Sequence, residues 1–130
     1  MIFILGVGRS GTSLLQSILN SHSKISFLPE TQFLRKYVFK DNLPINKSNY
    51  KKIIDQLEND SRFSRLNISP EFAIEKSENM IEVYRSIIKL FLKNKNKEII
   101  GDKDPKIIEN IEGLNYFFPN SKIIHIIRDP

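Results

Sequence analysis

Residues 6–13 read GVGRSGTS. Before them stands MIFIL (1–5), a continuous apolar run of strand length. After them Leu14, Leu15, Ile18 and Leu19 recur at helical spacing. Strand, glycine-rich turn and helix in that order are the context a phosphate-binding loop requires. The pattern G-x-x-x-x-G-K-[ST] is met at Gly6, Gly11 and Ser13, but Thr12 stands where the lysine belongs. A different cation, Arg9, comes three residues earlier. Backbone N–H groups at a helix start bind oxyanions, helped by the helix dipole. Gly6, Gly8 and Gly11 permit a tight turn and close backbone approach, and Ser10, Thr12 and Ser13 add hydroxyls. Arg9 adds a planar guanidinium suited to bidentate oxyanion contact. The stretch predicts an anion cradle that opens the first helix.

The same reading extends along the chain. Ile25–Phe27 reads as a second short strand, and Pro29 suits the first position of a helix running to about Phe39. Residues 40–68 are rich in Lys, Asn and Ser. Within them Tyr50, Ile53, Ile54 and Leu57 mark one amphipathic helix, with Ser48 placed to cap it. Met80, Ile81, Tyr84, Ile87, Ile88 and Phe91 hold one apolar face over three turns, which reads as core packing. Glu98–Gly101 is a further strand. Asp104 and Pro105 open a helix whose buried side is Ile107, Ile108, Ile111, Leu114 and Phe118, and residues 122–127 (KIIHII) form the last strand. Strands alternating with helices predict an α/β fold, a P-loop-like parallel sheet flanked by helices. His125, between isoleucines in a strand, reads as a core histidine, and His22 as a residue of the first helix's C-terminal end.

Composition narrows the classes. With 130 residues, 40% hydrophobic and 27% charged, the chain suits one modest soluble domain. There is no cysteine, and two scattered histidines do not make a zinc site, so no metal is expected. The net charge of +5 is spread out and not interleaved with aromatics, which argues against a nucleic-acid partner. No run approaches the roughly 18 apolar residues of a membrane span, and no leader pattern is visible. A cytoplasmic location is the expectation.

The anion remains to be chosen. A nucleoside-triphosphate hydrolase needs the loop lysine and a metal-binding aspartate at the end of an apolar strand. Here the last strand runs into Arg128 before Asp129 arrives. In a parallel sheet the carboxyl ends of the strands line the ligand crevice. Arg128 at such an end invites a second phosphate.

Residues 6–22, GVGRSGTSLLQSILNSH, resemble the 5′-phosphosulfate loop of the sulfotransferases that use 3′-phosphoadenosine 5′-phosphosulfate. IIHIIRDP (123–130) resembles the start of that family's 3′-phosphate motif. The arginine in the loop is similar to that of tyrosylprotein and bacterial sulfotransferases. In the tyrosylprotein branch a catalytic Glu follows the loop Arg by 21 residues and precedes a Thr; Glu30-Thr31 has that spacing from Arg9. The same branch carries a catalytic Lys in a Lys-Asp-Pro triplet, matched by residues 103–105. The likeness covers residues 3–33 and 99–130 and fades over about 40–96, where acceptor-binding variation is expected.

The resemblance implies roles. Glu30 would be the general base that takes the acceptor's hydroxyl proton. Lys103 would neutralise charge on the leaving phosphate oxygen. Gly8, Arg9, Ser10, Gly11, Thr12 and Ser13 would hold the 5′-phosphate and sulfuryl group, and Arg128 the 3′-phosphate. The products would be a sulfated hydroxyl compound (carbohydrate, small molecule or protein tyrosine) and adenosine 3′,5′-bisphosphate, with no metal required. The whole is read as one domain over 1–130, the amino-terminal part of a sulfotransferase, with a variable helical segment at about 40–96. Two rivals stand beside it. A small-molecule kinase predicts magnesium-dependent ATP binding, and an inactive anion-binding module predicts binding without turnover. The oligomeric state is not legible.

Overall fold

The computed structural model describes residues 1–127; Arg128, Asp129 and Pro130 lie outside them. The chain divides into two compact units, Met1–Glu30 with Lys95–Pro130, and Thr31–Asn94.

The first unit holds the sheet. Its strands are β1 (Ile2–Gly6), β2 (Ile25–Phe27), β3 (Ile99–Lys103) and β4 (Lys122–Ile126), all parallel, in the order β2-β3-β1-β4. β1 is central and apolar on both faces, as a strand covered on two sides must be. On one face Ile4 packs with Ile25 and Phe27, and helix α1 (Thr12–Asn20) contributes Leu15 and Leu19. On the other face Phe3 meets Phe118, their ring centroids 5.3 Å apart. The 3-10 turns of Pro105–Asn110 lie against β1 on the way to helix α5 (Ile111–Phe117), which comes after the three α-helices of the second unit in the chain. The expected α/β architecture is present.

Register brings three strand exits to one end. Ile4 pairs with Lys103, Gly6 with Ile126 and Phe27 with Gly101. The Gly6 loop, Glu30 and Lys103 therefore leave the sheet at its carboxyl edge, where ligands of parallel sheets bind. Gly101 fixes the spacing of β2 and β3. A Cβ there would lie 2.3 Å from the Phe27 ring, which is itself buried and cannot swing away. Gly101→Ala is expected to cost about 1–3 kcal/mol in urea unfolding, as overpacking does. A gain of a few tenths, the usual result of replacing an unconstrained strand glycine, would contradict this packing.

The second unit is helical: a five-residue π-helical turn at Leu34–Val38, α2 (Tyr50–Glu58), a 3-10 turn at Phe63–Leu66, α3 (Pro70–Ile74) and α4 (Met80–Leu92). Phe33 is its hub, with Tyr37, Tyr84 and Phe63 rings at 4.9, 5.9 and 6.3 Å. Asp60 accepts from the Tyr37 hydroxyl (2.6 Å) and Lys36 Nζ (2.9 Å). Burial would raise the Asp60 carboxyl, but these bonds and the Arg62 amide carry it down to about 2. Burial and the bond to Asp60 push the Tyr37 phenol up, so it stays a donor.

Several expectations are corrected. Pro29 does not begin a helix, because Gln32 adopts φ 58° and helical turns start only at Leu34. Ser48 does not cap α2; Asn49 occupies that position, and the Asn46 side chain binds the Ser48 and Asn49 amides. Ile108 and Ile111 are exposed, since a 3-10 segment followed by an α-helix does not keep one continuous 3.6-residue face. His125 is exposed on β4, which pairs only with β1 among the described residues, so it does not lie in the core those residues form.

Candidate active site

Val7–Ser10 form a four-residue turn closed by the Ser10 N–H donating to the Val7 carbonyl at 3.1 Å. Arg9 takes the third position with φ 68°, in the left-handed region that usually calls for glycine. Gly11 has φ 98°, a conformation no side chain enters cheaply. Gly6 is required for room: a Cβ there would lie 2.9 Å from Ser10 Oγ, 3.0 Å from the Ile126 carbonyl oxygen and 3.1 Å from the Thr12 methyl. Gly8 is neither in the left-handed region nor crowded.

The turn delivers the start of α1. The Leu15 N–H reaches back to the Gly11 carbonyl at 3.0 Å. The amides of Thr12, Ser13 and Leu14 come before it and have no carbonyl one turn behind them. No side chain caps this end, and its first turn holds no acidic residue. Arg9, Gly11, Thr12 and Ser13 line an open cavity of about 390 Å³ in front of these amides. Uncapped helix amides facing a cavity beside a guanidinium suit an oxyanion.

The hydroxyls divide. Ser13 is exposed at the cavity. Thr12 is buried, with its methyl against the Gly6 position. The Ser10 hydroxyl oxygen is buried too, has no hydrogen-bond partner among the described residues, and sits over Gly6. Ser10 is not among the residues that line the cavity.

Lys103 ends β3 and is only 4% exposed. Its Nζ forms an ion pair with the Glu30 carboxylate and lies 3.4 Å from Ser13 Oγ. Three residues far apart in sequence thus meet at one ammonium group: Ser13 from the cradle, Glu30 after β2, and Lys103 from β3. The neighbouring Asp104 accepts from the Lys106 N–H at 3.1 Å and starts the 3-10 turns. Arg128 lies outside the described residues.

The family model of the sulfotransferase family matches residues 2–130. The chain belongs to the sulfotransferase family. Among solved structures it is similar to the Sulfotransferase Domain from the Curacin Biosynthetic Pathway, at 23% identity and a TM-score of 0.63. That match covers 100% of this chain and 47% of the solved one, so the chain spans about half the length of that domain. At this identity the likeness shows the fold. No curated protein matches the chain significantly.

Within this sulfotransferase-family chain, two residues that sequence reasoning passed over hold the backbone just before Glu30. Gln16 Nε2 donates to the Leu28 carbonyl at 3.2 Å, and Asn20 Oδ1 accepts from the Phe27 N–H at 2.9 Å. Both look like ordinary polar positions on a helix, and only their i, i+4 spacing hinted at a shared face. His22 closes the turn after α1, accepting from the Lys24 N–H at 3.1 Å. The helical unit has its own cleft of about 400 Å³, lined by Phe72, Arg85 and Lys89 among others. None of the residues at the cradle lines it. Among the described residues, no group of three metal-ligating side chains forms a metal site, and no helix is long and apolar enough to cross a membrane.

Proposed function

We propose that this chain carries the donor-binding and catalytic elements of a sulfotransferase that uses 3′-phosphoadenosine 5′-phosphosulfate and a hydroxyl acceptor. The observation that carries the reading is the placement of Lys103 Nζ between the Glu30 carboxylate and Ser13 of the anion cradle. The donor supplies an activated sulfuryl group on a phosphate that is a good leaving group.

The residues divide the work. The amides of Thr12, Ser13 and Leu14 and the Arg9 guanidinium bind the 5′-phosphate and sulfuryl oxygens. Glu30 removes the acceptor's hydroxyl proton as the acceptor oxygen forms its bond to sulfur. The bond from sulfur to the bridging phosphate oxygen breaks, and its electron pair stays on the phosphate. Lys103 neutralises that growing charge from a site with little water, where its effect is largest. In the free chain the same ammonium neutralises Glu30. Arg128 belongs to this proposal as the 3′-phosphate contact.

Arg9 provides a clean test, because its backbone conformation favours glycine. Arg9→Gly relieves the left-handed strain while loosening the unfolded chain, so stability stays within about 1 kcal/mol. Adenosine 3′,5′-bisphosphate at a hundred times its Kd should add about 2.7 kcal/mol to the native protein, seen as a raised Tm. The expected result is that this rise disappears in Arg9→Gly. A rise with ATP and magnesium but not with the bisphosphate would overturn the reading in favour of a kinase.

A further inference from the structure

We propose that Gln16 is a positioning residue that sets Glu30 relative to the anion cradle. This rests on the functional reading above. The one segment that carries Glu30 out of the sheet is held from two sides at Leu28. The Leu28 carbonyl accepts from Gln16 Nε2 at 3.2 Å, and the Leu28 N–H donates to the Gly101 carbonyl at 2.9 Å. Gln16 lies on α1, whose first turn is the cradle; Gly101 lies two residues before Lys103. A single residue is therefore tied both to the helix that opens at the cradle and to the strand that ends in Lys103. Asn20, one turn beyond Gln16, adds a second hold one residue upstream through the Phe27 N–H.

The chemistry makes the bond directional. A main-chain carbonyl only accepts, so the Gln16 amide must present its NH2 group, and a carboxylate or an apolar side chain cannot replace it. The residue after Leu28 makes the hold count. Pro29 has a fixed φ, and a residue before proline is confined to extended conformations. Holding Leu28 thus holds the chain direction as far as Glu30, two residues on. A base displaced by an ångström can lose much of its rate while the binding site for the donor is intact.

The test compares Gln16→Met, which keeps the length and loses the donor, with Gln16→Lys, which keeps a donor. Activity is read as release of sulfate from labelled 3′-phosphoadenosine 5′-phosphosulfate, with water as acceptor. Gln16→Met should lower kcat about tenfold, leave the donor KM within about twofold, and keep Tm within about 4 °C. Gln16→Lys should recover most of the rate. A loss of kcat that follows Tm in both variants, or no loss in Gln16→Met, would overturn the proposal.

Amide hydrogen exchange decides the hold itself without activity. The Leu28 N–H should exchange about tenfold faster in Gln16→Met and return toward the native rate in Gln16→Lys. Unchanged exchange would refute the inference. A wild-type protein that neither binds the bisphosphate nor releases sulfate would instead refute the functional reading, whatever exchange shows.

Discussion

Lys103→Met is expected to lower the rate of the proposed sulfuryl transfer about 10²–10³-fold. This is the scale for losing a fixed donor aimed at charge that develops in the transition state. The ammonium is nearly dry and already in place, so no solvent must reorganise when the phosphate leaves. Stability falls as well, because the Glu30 carboxylate loses its partner. Removing one member of a fully buried pair costs about 3–5 kcal/mol. The Glu30 side chain is 25% exposed, so water offsets part of the loss and roughly 1–3 kcal/mol is expected. Steady-state kinetics and urea unfolding of the same preparation separate the two effects. A variant that loses stability but keeps its rate would make Lys103 a structural cation.

Glu30→Gln is expected to lower kcat by about 10²–10⁴, the range for a lost general base. The amide keeps the shape and can still accept from Lys103 Nζ, but it takes no proton. Affinity for adenosine 3′,5′-bisphosphate, measured by calorimetry, should change less than twofold, since Glu30 touches no phosphate in this scheme. The double variant with Lys103→Met should lose less stability than the two singles added together, because no isolated charge is left behind. Its rate should lie close to that of the slower single variant, as for groups that act as one unit. Weakened bisphosphate binding in Glu30→Gln alone would place the carboxylate in the donor site and remove it from the role of base.

Much of this site was legible before any coordinates. GVGRSGTS between an apolar strand and a helical stripe predicted a cradle at the start of α1, and α1 begins at Thr12. Local rules suffice there, since turn, helix start and phosphate chemistry all lie within eight residues. The two short strands expected at Ile25–Phe27 and Glu98–Gly101 were also readable from their apolar residues, although the second runs from Ile99 to Lys103 and buries the polar Asp102 and Lys103 at its end. The failures have local causes as well. A positive φ at Gln32 postponed the helix expected after Pro29, and nothing about a glutamine announces that conformation. His125 looked internal by alternation, but alternation does not say whether a strand is central or at an edge.

The roles of the three loop glycines show where sequence reading ends. Gly6 and Gly11 match the phosphate-loop pattern and Gly8 lies between them, yet Gly11 serves conformation, Gly6 serves room beneath Ser10, and Gly8 serves neither. The glycine spacing between strand and helix predicts the cradle, whereas the candidacy of Glu30 and Lys103 comes from the resemblance of short motifs to sulfotransferases, and the match over residues 2–130 shows the family. The meeting of cradle, Glu30 and Lys103 at one ammonium group depends on the parallel register that sets Phe27 beside Gly101 and Lys103 beside Ile4. The grip of Gln16 on Leu28 depends on α1 folding back over β2. Such contacts join residues 12 to 90 positions apart. No local preference encodes them, and only the packed sheet and helix bring the groups within hydrogen-bonding distance.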